Sequence, residues 1–211
     1  MTLIERWVAV LGDGAGERAA GRDLVARYEE PHRRYHTIRH LIEVLDVVDE
    51  LADEAEAPAA VRLAAWFHDA VYESGARHGE TGPSNEEASA RLAEQVLGGL
   101  GIGAARVAEA ARLVRLTEKH EAEDGDRNAA VLFDADLAIL AADRERYEEY
   151  ALAVREEYRE VPDELFRPGR AQILGALLSA PVLYRTPVAR ARFEDRARAN
   201  VSAEIARLTA V

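Results

Sequence analysis

The chain contains no cysteine, which removes disulfides, thiolate nucleophiles and cysteine-ligated zinc from consideration. Any metal must be held by histidine, aspartate, glutamate or backbone. No run of the ~18 apolar residues that a membrane span requires is present, so no membrane partner is expected. The opening residues Met1-Thr2-Leu3-Ile4-Glu5-Arg6 lack a basic stretch followed by an apolar one. A secretory leader is therefore not expected, and a cytoplasmic setting is. Alternating strand patterns are nearly absent, as are internal repeats, low-complexity tracts and long linkers. With a net charge of −12, the chain lacks the basic footprint of a duplex nucleic-acid binder. A small phosphorylated substrate remains compatible, because local charge can differ from net charge.

What is present favours helices. Of the 211 residues, 48% are hydrophobic and 31% charged, enough for one sizeable core with solvated helix faces. Ala, Leu, Arg and Glu, all strong helix formers, dominate. Ile4, Trp7, Val8 and Leu11 fit a helical stripe. Further helices are predicted over 17–29, 37–55, from Pro58 through His68, from Ser84 as N-cap to 97, over 105–117, over 127–141, from Asp143 as cap to 158, over 169–179 and over 188–209. Residues 73–83 read as a surface loop, 98–103 as a turn and 121–126 as an acidic loop. The expectation is a single all-α domain over 1–211, an HD-domain-like helical bundle. Its metal-site core would span about 28–141, with the helices of 142–211 packed on it.

Three segments carry chemistry. In Tyr35-His36-Thr37-Ile38-Arg39-His40 two imidazoles stand four apart, one helical turn. His68-Asp69 lies inside the apolar run Ala64-Ala65-Trp66-Phe67-His68-Asp69-Ala70-Val71-Tyr72. A buried imidazole and a buried carboxylate each need a partner, and a divalent cation answers both. In Asp134-Ala135-Asp136-Leu137 the two acids point about 200° apart on a helix, so only one faces a cation. The other caps or bonds the backbone. Singly, each element fits an ordinary satisfied core residue or helix cap. Together they point to one divalent-metal site.

These residues resemble the HD superfamily of metal-dependent phosphohydrolases. The match is closest to small bacterial members with Tyr-His-Thr-x-x-His, Trp-Phe-His-Asp-x-Val-Tyr, Asn-Glu-x-x-Ser-Ala and Asp-Ala-Asp-Leu segments, the third read here from Asn85-Glu86 to Ser89-Ala90. The likeness extends through Tyr147 and Arg155-Glu156-Glu157-Tyr158 to Asn200, so it covers most of the chain. It implies His40, His68, Asp69 and Asp136 as ligands of a divalent Mn, Fe, Zn, Ni or Mg ion, with Asp69 also counted as catalytic. The first segment is also similar to that of cyclic-nucleotide phosphodiesterases, which implies His36 as proton donor and favours Asp136 over Asp134 as ligand. Two positions depart from related patterns. Thr37 stands where the phosphodiesterases have Asn. Tyr72 stands where HD nucleotidases have a water-activating Glu, three residues after the His-Asp pair.

The expected activity is hydrolysis of a phosphate ester of a nucleotide or another small phosphorylated metabolite by metal-activated water. The alternative is a metal- or nucleotide-binding regulatory protein that keeps the site without robust turnover. Di-iron oxygenase chemistry needs more histidines than His120 supplies. Arg39, Tyr72, Glu86, His120 and Arg170 are the candidates for substrate contact. Arg33 and Arg34 read as solvated charges, and His32 and His78 carry no assigned chemistry.

Overall fold

The computed structural model describes residues 1–73 and 82–210. Most of the predicted 73–83 loop, with His78, lies outside the described residues. The described residues form ten α-helices: α1 (Leu3–Leu11), α2 (Ala15–Tyr28), α3 (Ile38–Glu50), α4 (Pro58–Phe67), α5 (Asn85–Gly99), α6 (Ala104–Leu116), α7 (Arg127–Asp136), α8 (Arg144–Glu157), α9 (Asp163–Ser179) and α10 (Pro187–Thr209). No strand occurs among the described residues, and no helix there is long and apolar enough to cross a membrane.

Local chemistry sets the helix starts. Thr2 and Glu5 form a reciprocal capping box on α1. Ser84 accepts the Glu87 N–H at 3.2 Å. The Glu87 side chain does not complete that box, because Arg91 and Arg115 hold it instead. Asp143 caps α8 through the Arg146 N–H, and Thr186 caps α10 through the Ala189 N–H. The turn between α5 and α6 needs Gly101, whose φ of 72° is unfavourable with a Cβ.

Several predicted boundaries shift. The helix predicted over 37–55 ends at Glu50 and is followed by a 3-10 turn at Ala52–Glu54. The helix from Pro58 ends at Phe67, so His68 is its C-cap and Asp69 lies beyond it. The segment predicted as helical over 127–141 is α-helical only to Asp136 and then tightens into a 3-10 stretch, Leu137–Ala141. Helix α9 begins at Asp163 and carries Pro168 inside it.

Helices α3, α4 and α7 pack on one another, with the antiparallel α5–α6 pair against α4 and α6 also touching α7. Helix α1 crosses α2, where the Trp7 indole N–H donates to the Glu17 carbonyl at 2.7 Å. Helices α9 and α10 pair, and α10 lies along the 137–141 stretch. There the Asn200 amide donates to the Leu140 and Ala142 carbonyls, each at 2.9 Å. One buried apolar cluster runs from Trp7 to Val201.

Candidate metal centre

Three segments converge at one end of the α3–α4–α7 packing. His40, in the first turn of α3, and His68, at the end of α4, are each only 1% exposed. Their Nε2 atoms face each other at 3.1 Å. The Asp69 Oδ2 lies 3.0 Å from His68 Nε2 and 3.3 Å from His40 Nε2. The Asp136 Oδ1 lies 3.2 Å from His40 Nε2 and 3.6 Å from His68 Nε2. Donors bound to one ion at about 2.1 Å stand about 3.0 Å apart at right angles and about 3.4 Å apart in a tetrahedron. Four of the five spacings fall in that range and the fifth, 3.6 Å, lies just beyond it, so two imidazoles and two carboxylates form a donor set that fits a divalent cation. His40, His68 and Asp136 form a buried group able to hold a metal ion.

A local bond orients the His68 ring. His68 Nδ1 donates to the Ala65 carbonyl at 2.8 Å, which turns Nε2 toward the cluster, where its lone pair would meet a bound cation. Burial works to lower the pKa values of both imidazoles, yet the Asp136 and Asp69 contacts hold His40 above its ordinary value and His68 well above it. Burial likewise works to raise the two acids, and the surrounding imidazoles hold both well below the usual carboxylate range. The pocket therefore favours positive charge at its centre.

The acid pair divides as its helical spacing predicts. Asp136 faces the cluster. Asp134, with no solvent exposure, accepts the backbone N–H groups of Arg185 and Thr186, each at 2.7 Å. It ties α7 to the start of α10.

His36 sits beside this cluster, its ring centroid 5.8 Å from that of His40. Its Nδ1 lies 2.7 Å from Glu157 Oε2 and its ring stacks on Tyr72 at 4.0 Å. Tyr72 donates its hydroxyl to the same Glu157 oxygen at 3.0 Å. The other Glu157 oxygen accepts the N–H groups of Arg34, Tyr35 and His36 at 2.8, 2.8 and 3.1 Å. His120, at a φ of 51°, places Nε2 2.9 Å from Asp136 Oδ2. Arg185 holds it there by donating to the His120 carbonyl at 2.6 Å.

Two sequence candidates are not brought to the cluster. Arg39 is exposed and paired with Glu43 and Glu149. Arg170 is bound between Glu204 and the Tyr150 hydroxyl at 3.0 and 2.7 Å, joining α9 to α10 and α8. Arg33, read from sequence as a solvated charge, is buried instead. It donates to the His36 and Asp69 carbonyls at 3.0 and 2.8 Å and so ties two motif segments together.

Sequence reasoning missed Glu157, Arg33 and Arg185. Nothing in their local sequence distinguishes them from other charged helix-end residues, although Glu157 lies in the segment that carries the family resemblance. Two buried side-chain polar atoms among the described residues have no hydrogen-bond partner, Tyr35 Oη and Glu86 Oε2. The Tyr35 ring packs against His40 at 4.7 Å.

No family model matches the chain, and neither the curated proteins nor the solved structures give a match.

Proposed function

We propose that this chain is a metal-dependent phosphoric ester hydrolase of the HD superfamily. Its substrate would be a nucleotide or another small phosphorylated metabolite. The observation that carries the reading is the meeting of two imidazoles and two carboxylates at spacings of 3.0 to 3.6 Å, with a carboxylate-anchored histidine beside them. His40, His68, Asp69 and Asp136 would hold the ion. When bound, a divalent cation supplies Lewis acidity toward a phosphoryl oxygen and acidifies water.

The chain's own groups supply the rest. His36, its Nδ1 held by Glu157, presents Nε2 as the proton donor to the leaving oxygen. Proton donation of this kind is worth roughly 10²–10⁴-fold. Tyr72 packs on the His36 ring and restrains it. His120 orients Asp136 by bonding the oxygen turned away from His40 and His68, the usual role of an outer partner of a ligand.

The alternative is a binding module that keeps the ion without turnover. It draws on one observation: Arg39 and Arg170, the arginines considered for phosphate, are engaged with carboxylates elsewhere.

The test is metal analysis followed by a screen of phosphomonoesters, phosphodiesters and nucleotides with Mn, Co, Ni and Mg. Hydrolysis abolished by His68→Ala and Asp136→Ala is the expected result. Stoichiometric metal without turnover on a broad panel would favour the binding module. A protein that takes up no divalent ion at all would sink both readings.

A further inference from the structure

His120 lies four residues past the end of α6 with a backbone φ of 51°, the one positive φ at a non-glycine among the described residues. That region crowds a Cβ against the backbone, so the local sequence does not by itself favour it. The His120 N–H donates to the Leu116 carbonyl at 2.9 Å and closes the turn. Its carbonyl accepts the Arg185 guanidinium at 2.6 Å. The same guanidinium lies 5.0 Å from the centre of the Phe133 ring, and that ring packs against the His120 imidazole at a centroid distance of 5.1 Å. Arg185 therefore restrains the backbone of His120 directly and its ring through Phe133.

The backbone of Arg185 is fixed without its side chain. Asp134 accepts the N–H groups of Arg185 and Thr186, each at 2.7 Å. These bonds make a closed circuit. It leaves α7 at Asp134, passes through Arg185 and His120, and returns to α7 at Asp136, where His120 Nε2 lies 2.9 Å from Oδ2. An ionised carboxylate can only accept, so Nε2 is the donor. The other oxygen, Oδ1, is the one turned to His40 and His68, at 3.2 and 3.6 Å. The two oxygens of Asp136 thus have separate tasks, and the bond from His120 to Oδ2 decides which way Oδ1 faces.

We propose that Arg185 is a positioning residue of the metal centre: acting through His120, it holds the Asp136 carboxylate with Oδ1 toward His40 and His68 and so sets the affinity for the ion. This inference rests on the metal-binding part of the reading above and not on the hydrolysis. Without the guanidinium, the His120 carbonyl loses its acceptor role and the crowded backbone is free to relax. The imidazole then drifts from Oδ2, and the carboxylate rotates. Loss of an outer partner of a ligand typically weakens metal binding by roughly 10–100-fold.

Arg185 is exposed, so truncating it hollows no core, and its backbone bonds to Asp134 survive the change. The experiment titrates Co and Mn into metal-free wild type, Arg185→Ala, Arg185→Lys, His120→Ala and the double variant Arg185→Ala with His120→Ala. The expected result for Arg185→Ala is a Kd raised by roughly 10–100-fold, with a metal-free Tm close to that of wild type. Arg185→Lys recovers part of the affinity, because an ammonium still donates to the carbonyl. His120→Ala loses at least as much as Arg185→Ala, and the double variant binds no more weakly than His120→Ala, as residues acting in series require. The visible spectrum of bound Co in Arg185→Ala moves toward that of His120→Ala. Wild-type affinity in Arg185→Ala overturns the inference, and a lower metal-free Tm at unchanged Kd does so too by making Arg185 a strut of the fold alone. Losses that add in the double variant also overturn it, because Arg185 would then act by a route other than His120. Failure of the wild-type protein to take up either ion overturns the metal reading itself.

Discussion

The carboxylate of Glu157 accepts three consecutive backbone N–H groups on one oxygen and engages His36 and Tyr72 with the other. Burial pushes its pKa up, but the His36 contact and the backbone donors bring it down from 4.5 to about 2. A drop of that size corresponds to about 3 kcal/mol. Because the folded value is depressed, this stability is present above the unfolded pKa and is lost as pH falls from about 5 toward 2. Urea melts across that window should show the advantage of wild type over Glu157→Gln shrinking as the buffer is acidified. A constant difference would mean that the bonds do not favour the ionised form. The same variant should lower kcat well before it alters KM, because the His36 ring loses its anchor. None of this was legible in the sequence, since Glu157 and His36 are 121 residues apart. The meeting of His40, His68 and Asp136 in a group able to hold a metal ion was foreshadowed in the sequence, because a histidine and an acid embedded in an apolar run demand a partner wherever the chain goes.

At the scale of elements, periodicity located the helices and most of their ends, and the ends position the chemistry. The ends expected at His68 and at 117 lie within one residue of those of α4 and α6, at Phe67 and Leu116, but the helix expected over 127–141 stops as an α-helix at Asp136. His68, Asp69, His120 and Asp136 all sit at or just past these C-terminal ends. Apolar patterning does not report the end of α7, because the apolar run continues through Leu137-Ala138-Ile139-Leu140 into the 3-10 stretch. The division of labour within α7 gives a direct check. Asp134→Ala strips two backbone N–H groups at the start of α10 of their acceptor and should destabilise the fold by about 2–4 kcal/mol, with metal content retained. Asp136→Ala should do the reverse, losing metal at a smaller cost to the metal-free fold. Denaturant melts alongside metal analysis separate the two. On the other side of the core, a Cβ at Gly21 would come within 2.7 Å of the Trp7 ring. Gly21→Ala should therefore cost about 1–3 kcal/mol by forcing α1 away from α2, despite the better helix propensity of alanine.

For the molecule as a whole, the centre joins α3, the ends of α4 and α7 and, through His120 and Arg185, the start of α10. A bound ion would thus cross-link segments up to 96 residues apart, the separation of His40 from Asp136. Binding that favours the folded state stabilises by about 2.7 kcal/mol at a hundredfold excess over Kd. In a chain of this length that is a rise in Tm of roughly 5–10 °C. The rise should depend on pH with a definite sign. With no cation bound, the carboxylates hold the His40 and His68 pKa values above the ordinary one. Protons then compete with the ion from a higher pH than at an ordinary histidine pair, and binding releases them. Thermal melts with added Mn, Co, Ni or Zn should therefore show a shift that is large at pH 8 and fades as pH falls through the imidazole range. His68→Ala and Asp136→Ala should abolish the shift, whereas Asp134→Ala should melt lower yet keep it. A shift that persists in His68→Ala would place the ion elsewhere on the molecule, because no other group supplies the Nε2 that Ala65 holds in position.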